Sequence, residues 1–133
     1  MKRTENLFLD DIRNPLDAYS YMPNPIYLKE DWSIVRNYSE FVAFILTNGL
    51  PKQISFDHDL ADIHYTICND GMINYENMIE KTGYHCAMWL VNYCMDKGNV
   101  ELPIYHIHSM NNVGGQNIRK LLENYEKHCK KTV

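Results

Sequence analysis

Hydrophobic positions along the chain fall into short uninterrupted runs separated by longer stretches of helical periodicity. Leu7-Phe8-Leu9 is a continuous apolar run that ends abruptly in Asp10-Asp11. Residues 32–36 form a second short run, with β-branched Ile34 and Val35, that ends in Arg36. The third, 54–60, follows Pro51-Lys52; it opens with Ile54 and Phe56 and leaves as Asp57-His58-Asp59. After Pro103 a fourth, 104–109, alternates as Ile104-Tyr105-His106-Ile107-His108-Ser109, which puts His106 and His108 on one face of a strand.

Helical spacing fills the intervals. Ser39 and Glu40 read as the cap and first turn of a helix carrying Phe41, Val42, Phe44, Ile45 and Leu46, stopped by Gly49 and Pro51. Residues 84–97 place Cys86, Leu90, Val91 and Cys94 on one stripe and end at Gly98; Ile118, Leu121, Leu122 and Tyr125 mark a final helix. Pro15, Pro23 and Pro25 argue against a regular helix between residues 12 and 31, so a loop or short helical turn is expected there. Residues 61–81, polar and broken at Asn69-Asp70-Gly71, read as a lid or insertion.

Strands alternating with helices predict an α/β fold: a flavodoxin-like three-layer sandwich. The expectation is four parallel strands in the order 2-1-3-4 with helices on both faces, built as one domain over residues 1–133. In such a sheet the strand C-termini share an edge, where ligands bind. Asp10, Asp11, Asp57 and Asp59 would meet there and repel unless a cation or shared protons neutralise them.

Composition narrows the partners. A formal charge of −4 offers no basic field for duplex nucleic acid, although a nucleotide-sized ligand is compatible with it. No apolar run approaches the ~20 residues of a membrane span, and the opening residues lack a signal-peptide core. Cys68, Cys86, Cys94 and Cys129 show no CxxC spacing, so free thiols and a cytoplasmic location are expected.

The acidic pair after the first strand, Asp57 after the third and Ser109 after the next resemble a response-regulator receiver domain. That resemblance implies magnesium on Asp10, Asp11 and Asp57, and a hydroxyl contact from Ser109 to a phosphoryl group. It departs from the receiver pattern in lacking a fifth strand with its phosphoryl-pairing lysine. The fuller signature, Leu9-Asp10-Asp11-Ile12-Arg13-Asn14-Pro15, Phe56-Asp57-His58-Asp59-Leu60, Thr82-Gly83 and His106-x-His108-Ser109-x-Asn111, is similar to the cyclic-phosphate-processing receiver-like domain family, over residues 7–122. The resemblance implies a ligand carrying a cyclic or terminal phosphate, on a nucleotide or an RNA end.

The residues themselves suit that chemistry. Carboxylate oxygens favour Mg²⁺ or another divalent cation that also binds phosphate. Arg13 and Arg36 each follow a strand end, where a guanidinium can fork onto phosphate, and Asn111 to Gly115 lead into a helix N-terminus. Asp57, His108, His58 and Ser109 are the candidate catalytic groups, with His108 as the expected general acid or base. Asp59, His106, Asn111 and Thr82 join the two arginines as candidate substrate contacts. Blander roles compete: Thr82-Gly83 as a helix entry, His106 as a packed strand residue, Gly114-Gly115 as a turn. Zinc on His58, His106 and His108 is the minority alternative, for want of ligand spacing. Three functions remain: a metal-dependent phosphoesterase, a receiver phosphorylated on Asp57, and a non-catalytic nucleotide-sequestering protein.

Overall fold

The computed structural model describes residues 3–60 and 81–131, so the expected lid at 61–81 lies, apart from Lys81, outside the described residues. Four strands, β1 (Asn6–Leu9), β2 (Ser33–Val35), β3 (Gln53–Phe56) and β4 (Ile104–Ile107), form one parallel sheet in the order β2-β1-β3-β4. The expected strand order is therefore the observed one. Leu7, Phe8 and Leu9 are all fully buried, as a central parallel strand covered on both faces requires.

The two faces differ in chemistry. On one, Leu7, Leu9, Ile54, Phe56 and Ile107 pack beneath α3 (Tyr38–Asn48), α4 (Gly83–Asp96) and α5 (Asn112–Lys131). Phe41 and Ile45, Leu90 and Cys94, and Ile118 and Leu122 supply the facing stripes, and Cys86 and Cys94 are buried thiols. The other face carries Phe8 under two short helices, α1 (Pro15–Tyr21) and α2 (Ile26–Lys29), through Ala18 and Tyr27. Its remaining buried side chains are polar and paired. Asn6 donates to the Asp31 carbonyl at 3.0 Å, Gln53 donates to Asn6 at 2.9 Å, and His106 Nε2 meets Gln53 Oε1 at 3.0 Å.

Two local expectations are corrected. The proline-rich segment is helical in two places because its prolines sit where helices tolerate them, Pro15 in the first turn and Pro25 at the N-cap. The Asn14 amide donates to the Asp17 carboxylate at 2.9 Å, which closes the start of α1. Helix α3 is capped by Asn37 rather than Ser39: the Asn37 side chain accepts from the Glu40 amide at 2.9 Å, and Ser39 falls inside the first turn. Gly49, at φ 84°, ends that helix in a conformation that disfavours any side chain.

Thr82 and Gly83 dock α4 onto the end of β3. Thr82 is the N-cap, and the Gly83 amide donates to the His58 carbonyl at 2.7 Å. A Cβ on Gly83 would lie 1.8 Å from the Asp57 carbonyl oxygen, a backbone atom that cannot swing aside. Gly83→Ala should therefore lower stability by roughly 3 kcal/mol, the upper end of overpacking. Gly115→Ala, whose Cβ would meet Ile107 at an ordinary 3.4 Å inside a helix, should be neutral or slightly stabilising. Chemical denaturation of the two variants checks the contrast.

Candidate functional site

Parallel pairing continues one residue beyond each strand, and that extra rung builds the site. The Asp10 amide donates to the Val35 carbonyl at 3.2 Å, Asp57 to Leu9 at 2.9 Å, and His108 to Phe56 at 2.9 Å. Leu9 pairs with Phe56 and Phe56 with Ile107, so Asp10, Asp57 and His108 form the next row across three adjacent strands. Each is buried to within a few per cent. Ligand atoms of these three lie within 4.8 Å of one another, a possible metal-binding cluster.

The His108 ring does not stand up from its strand end. It lies back across β3, above the small side chain of Ser55, and reaches β1. Its Nδ1 is 2.7 Å from Ser55 Oγ, its Nε2 is 3.1 Å from Asp10 Oδ2, and its ring stacks on Phe8 at 4.4 Å. Tyr27 Oη lies 2.7 Å from Ser55 Oγ. One proton assignment satisfies all three contacts: Tyr27 donates to Ser55, Ser55 to Nδ1, and Nε2–H to the Asp10 carboxylate. Burial pulls the His108 pKa down and so favours the neutral ring.

Asp10 is held ionised. Burial acts to raise its pKa, but hydrogen bonds from His108 and from the amides of Arg13 (2.8 Å) and Ile12 (3.0 Å) prevail, lowering it to about 2. Asp57 goes the other way. Burial first, then the charge of Asp10, raise its pKa to about 7, against the 2.9 Å hydrogen bond from the His58 amide. Asp11 is raised by burial and by its hydrogen bond and charge interaction with Asp10. This is the expected repulsion of clustered carboxylates, and the donor set fits a divalent cation: two buried carboxylates with a third at the rim.

Above the row is an open cleft of about 440 Å³, lined by Asp11, Arg13, Asp57, Asp59, Ser109 and Asn111, with Ile12 and Met110. Six expected site residues thus share one cavity, with Asp10 and His108 below it. Asp59 is bound by His58 Nδ1 at 2.7 Å and by Asn111 at 3.3 Å; the first of these does most to hold its pKa low. His58 itself is fully buried, and a Cβ on Gly114 would lie 2.3 Å from its ring, so Gly114 leaves room for the imidazole.

Four expected residues are directed elsewhere. The Arg36 guanidinium donates to the carbonyls of Asp10 (3.2 Å) and Arg13 (2.7 Å) and to the Asn14 side chain (3.0 Å), bracing the loop after β1. His106 pairs with Gln53, Thr82 caps α4, and His108 lies with both ring nitrogens engaged. The zinc arrangement is not formed, since His106 points to Gln53 at the lower part of the sheet and His58 to Asp59. Sequence reasoning passed over Ser55 and Tyr27; a lone hydroxyl between Ile54 and Phe56 in a buried strand was the available signal.

A parallel α/β sheet in the order 2-1-3-4, with paired carboxylates after its first strand and another after its third, defines a receiver-like architecture. The chain belongs to the cyclic-phosphate processing receiver domain family, which it matches over residues 5–124. No curated protein and no solved structure matches it. Among the described residues, no helix is long and apolar enough to cross a membrane.

An aspartate whose folded pKa exceeds its ordinary 3.8 stabilises the fold at low pH, and that contribution is lost as pH rises through about 7. In cation-free buffer Asp57→Asn should therefore melt with the native chain near ~pH 4 and above it near ~pH 8. Thermal melts across that range, repeated with magnesium, check this; the cation should narrow the gap at high pH.

Proposed function

We propose that the chain is a metal-dependent phosphoesterase that processes a cyclic or terminal phosphate on a nucleotide or an RNA end. The observation that carries this reading is the coincidence, at one sheet edge, of a buried carboxylate row with an open cleft bearing Arg13, Ser109 and Asn111. Asp10, Asp11 and Asp57 would hold Mg²⁺. The cation supplies charge neutralisation of the phosphate and polarisation of its oxygens.

Arg13 has a half-buried guanidinium, 31% exposed, directed by stacking on Tyr21 at 5.5 Å. It forms the phosphate clamp. The Ser109 hydroxyl and the Asn111 amide, both on the cleft wall, donate to phosphoryl or ribose oxygens. Asp59, ionised and 45% exposed, accepts a proton from a substrate hydroxyl or from water. His58 and His108 act from beneath as positioning residues, one holding Asp59 and the other Asp10. Cation uptake displaces the Asp57 proton, so metal affinity should rise with pH up to about 7 and level off above it.

A receiver whose Asp57 accepts a phosphoryl group is the competing reading, supported by the carboxyl of Asp57 lining the cleft. No lysine is among the described residues that line it. The deciding experiment incubates the protein with nucleoside 2′,3′-cyclic phosphates and with RNA ends bearing them, with and without magnesium. The expected result is magnesium-dependent ring opening to a monophosphate. Asp57→Asn should lower kcat by roughly two orders of magnitude or more, and Arg13→Ala should act chiefly on KM. Stable labelling of Asp57 by acetyl phosphate, with no turnover of any cyclic phosphate, would replace this reading with the signalling one.

A further inference from the structure

A second cavity, of about 490 Å³, opens beside the cleft and shares Ser109, Met110 and Asn111 with it. Its walls have a different chemistry. Tyr21 and Met22 at the end of α1, with Met110, give an apolar side. Asn112, Gln116 and Arg119 give a polar one; they sit at i, i+4 and i+7 on α5 and so share a helix face. Among the described residues that line the second cavity there is no carboxylate; Asp11, Asp57 and Asp59 line the first.

Arg13 joins the two spaces. It lines the cleft, yet its guanidinium stacks on Tyr21 and its Nη2 lies 3.4 Å from Met110 Sδ, both residues of the second cavity. A phosphate clamped by Arg13 can therefore carry its ester substituent past Met110 into the second cavity. Met110, 59% exposed, is an adaptable thioether shared by the two spaces.

We infer that the second cavity is a nucleoside subsite, taking the sugar and base of the ligand whose phosphate is held in the cleft. This rests on the phosphate reading of the cleft and adds to it the part of the ligand that confers selectivity. A nucleobase needs a flat apolar wall and a few edge groups that both donate and accept. Tyr21, Met22 and Met110 form the wall, and the Asn112 and Gln116 amides are the edge groups. Arg119 lies two helical turns from Asn112, about 10 Å along α5. It adds a cation where a neighbouring phosphate of an RNA strand would run.

Calorimetric titration in magnesium tests the subsite independently of turnover, with the four nucleoside 3′-monophosphates against ribose 5-phosphate. The expected result is that at least one nucleotide binds about tenfold tighter than ribose 5-phosphate, the contribution of one stacked base. The Asn112→Ala/Gln116→Ala double variant, altered only at exposed positions, should lose most of that ratio. A short RNA ending in the same 3′-phosphate shows the source: tighter binding than the mononucleotide, lost in Arg119→Ala, marks an RNA end, and equal binding marks a free nucleotide. Nucleotides binding within about twofold of ribose 5-phosphate would overturn the subsite, as would no binding by any of them. Nucleotide-selective binding without turnover of any cyclic phosphate would leave the subsite standing and remove the phosphoesterase reading instead.

Discussion

Three backbone hydrogen bonds past the ends of the strands govern the upper edge of this molecule. They hold Asp10, Asp57 and His108 in one row and on one face, because side chains of paired parallel strands stay in register. Everything chemical at the edge follows from that row. Asp10 is kept ionised by donors from its own loop and from His108. Asp57, lying between them in the strand order and bound by the His58 amide, takes the raised pKa. Two buried carboxylates this close repel each other when both are charged.

The face below the row explains why the imidazole is where it is. Ser55 is small enough to let the His108 ring cross β3, and its hydroxyl turns the crossing into a directed chain from Tyr27 to Asp10. The short helices α1 and α2 serve the same arrangement: α2 brings Tyr27, and α1 brings Tyr21, whose hydroxyl donates to the His108 carbonyl at 2.7 Å. On the opposite side, absent side chains matter as much as present ones. Gly83 lets α4 approach the Asp57 carbonyl and Gly114 lets α5 approach His58, so two helix N-termini close onto the strand ends without covering the cleft.

Much of this was legible in the sequence. Apolar runs that end in polar groups marked the strands and their common edge, and alternation with helices implied a parallel, flavodoxin-like sheet, for which the order 2-1-3-4 was expected. The acidic residues, Arg13, Ser109 and Asn111 were recognisable as a group because each follows a strand end. What could not be read was direction within the site. Spacing puts His108 at a strand terminus but does not say that its ring folds back over Ser55, and it puts Arg36 beside Arg13 without revealing that Arg36 binds loop carbonyls. The two prolines that begin helices looked like breakers because proline position relative to a cap depends on the neighbouring fold. The cap at Asn37, two residues before Ser39, was lost for the same reason.

The central claim is that His108 is a neutral cross-tie, donating through Nε2 to Asp10, while the carboxylates carry the charge of the site. Nitrogen-15 NMR of the imidazoles, with and without magnesium, tests it directly. His108 should hold the Nε2–H tautomer across the neutral range, become protonated only below the ordinary imidazole range, and keep its tautomer when the cation binds. A shift to Nδ1–H on adding magnesium would mean that the imidazole itself ligates the metal. An imidazolium persisting up to the ordinary value near ~6.5 would mean that the Asp10 carboxylate outweighs burial and that the ring carries charge in the site. Either result would contradict the account.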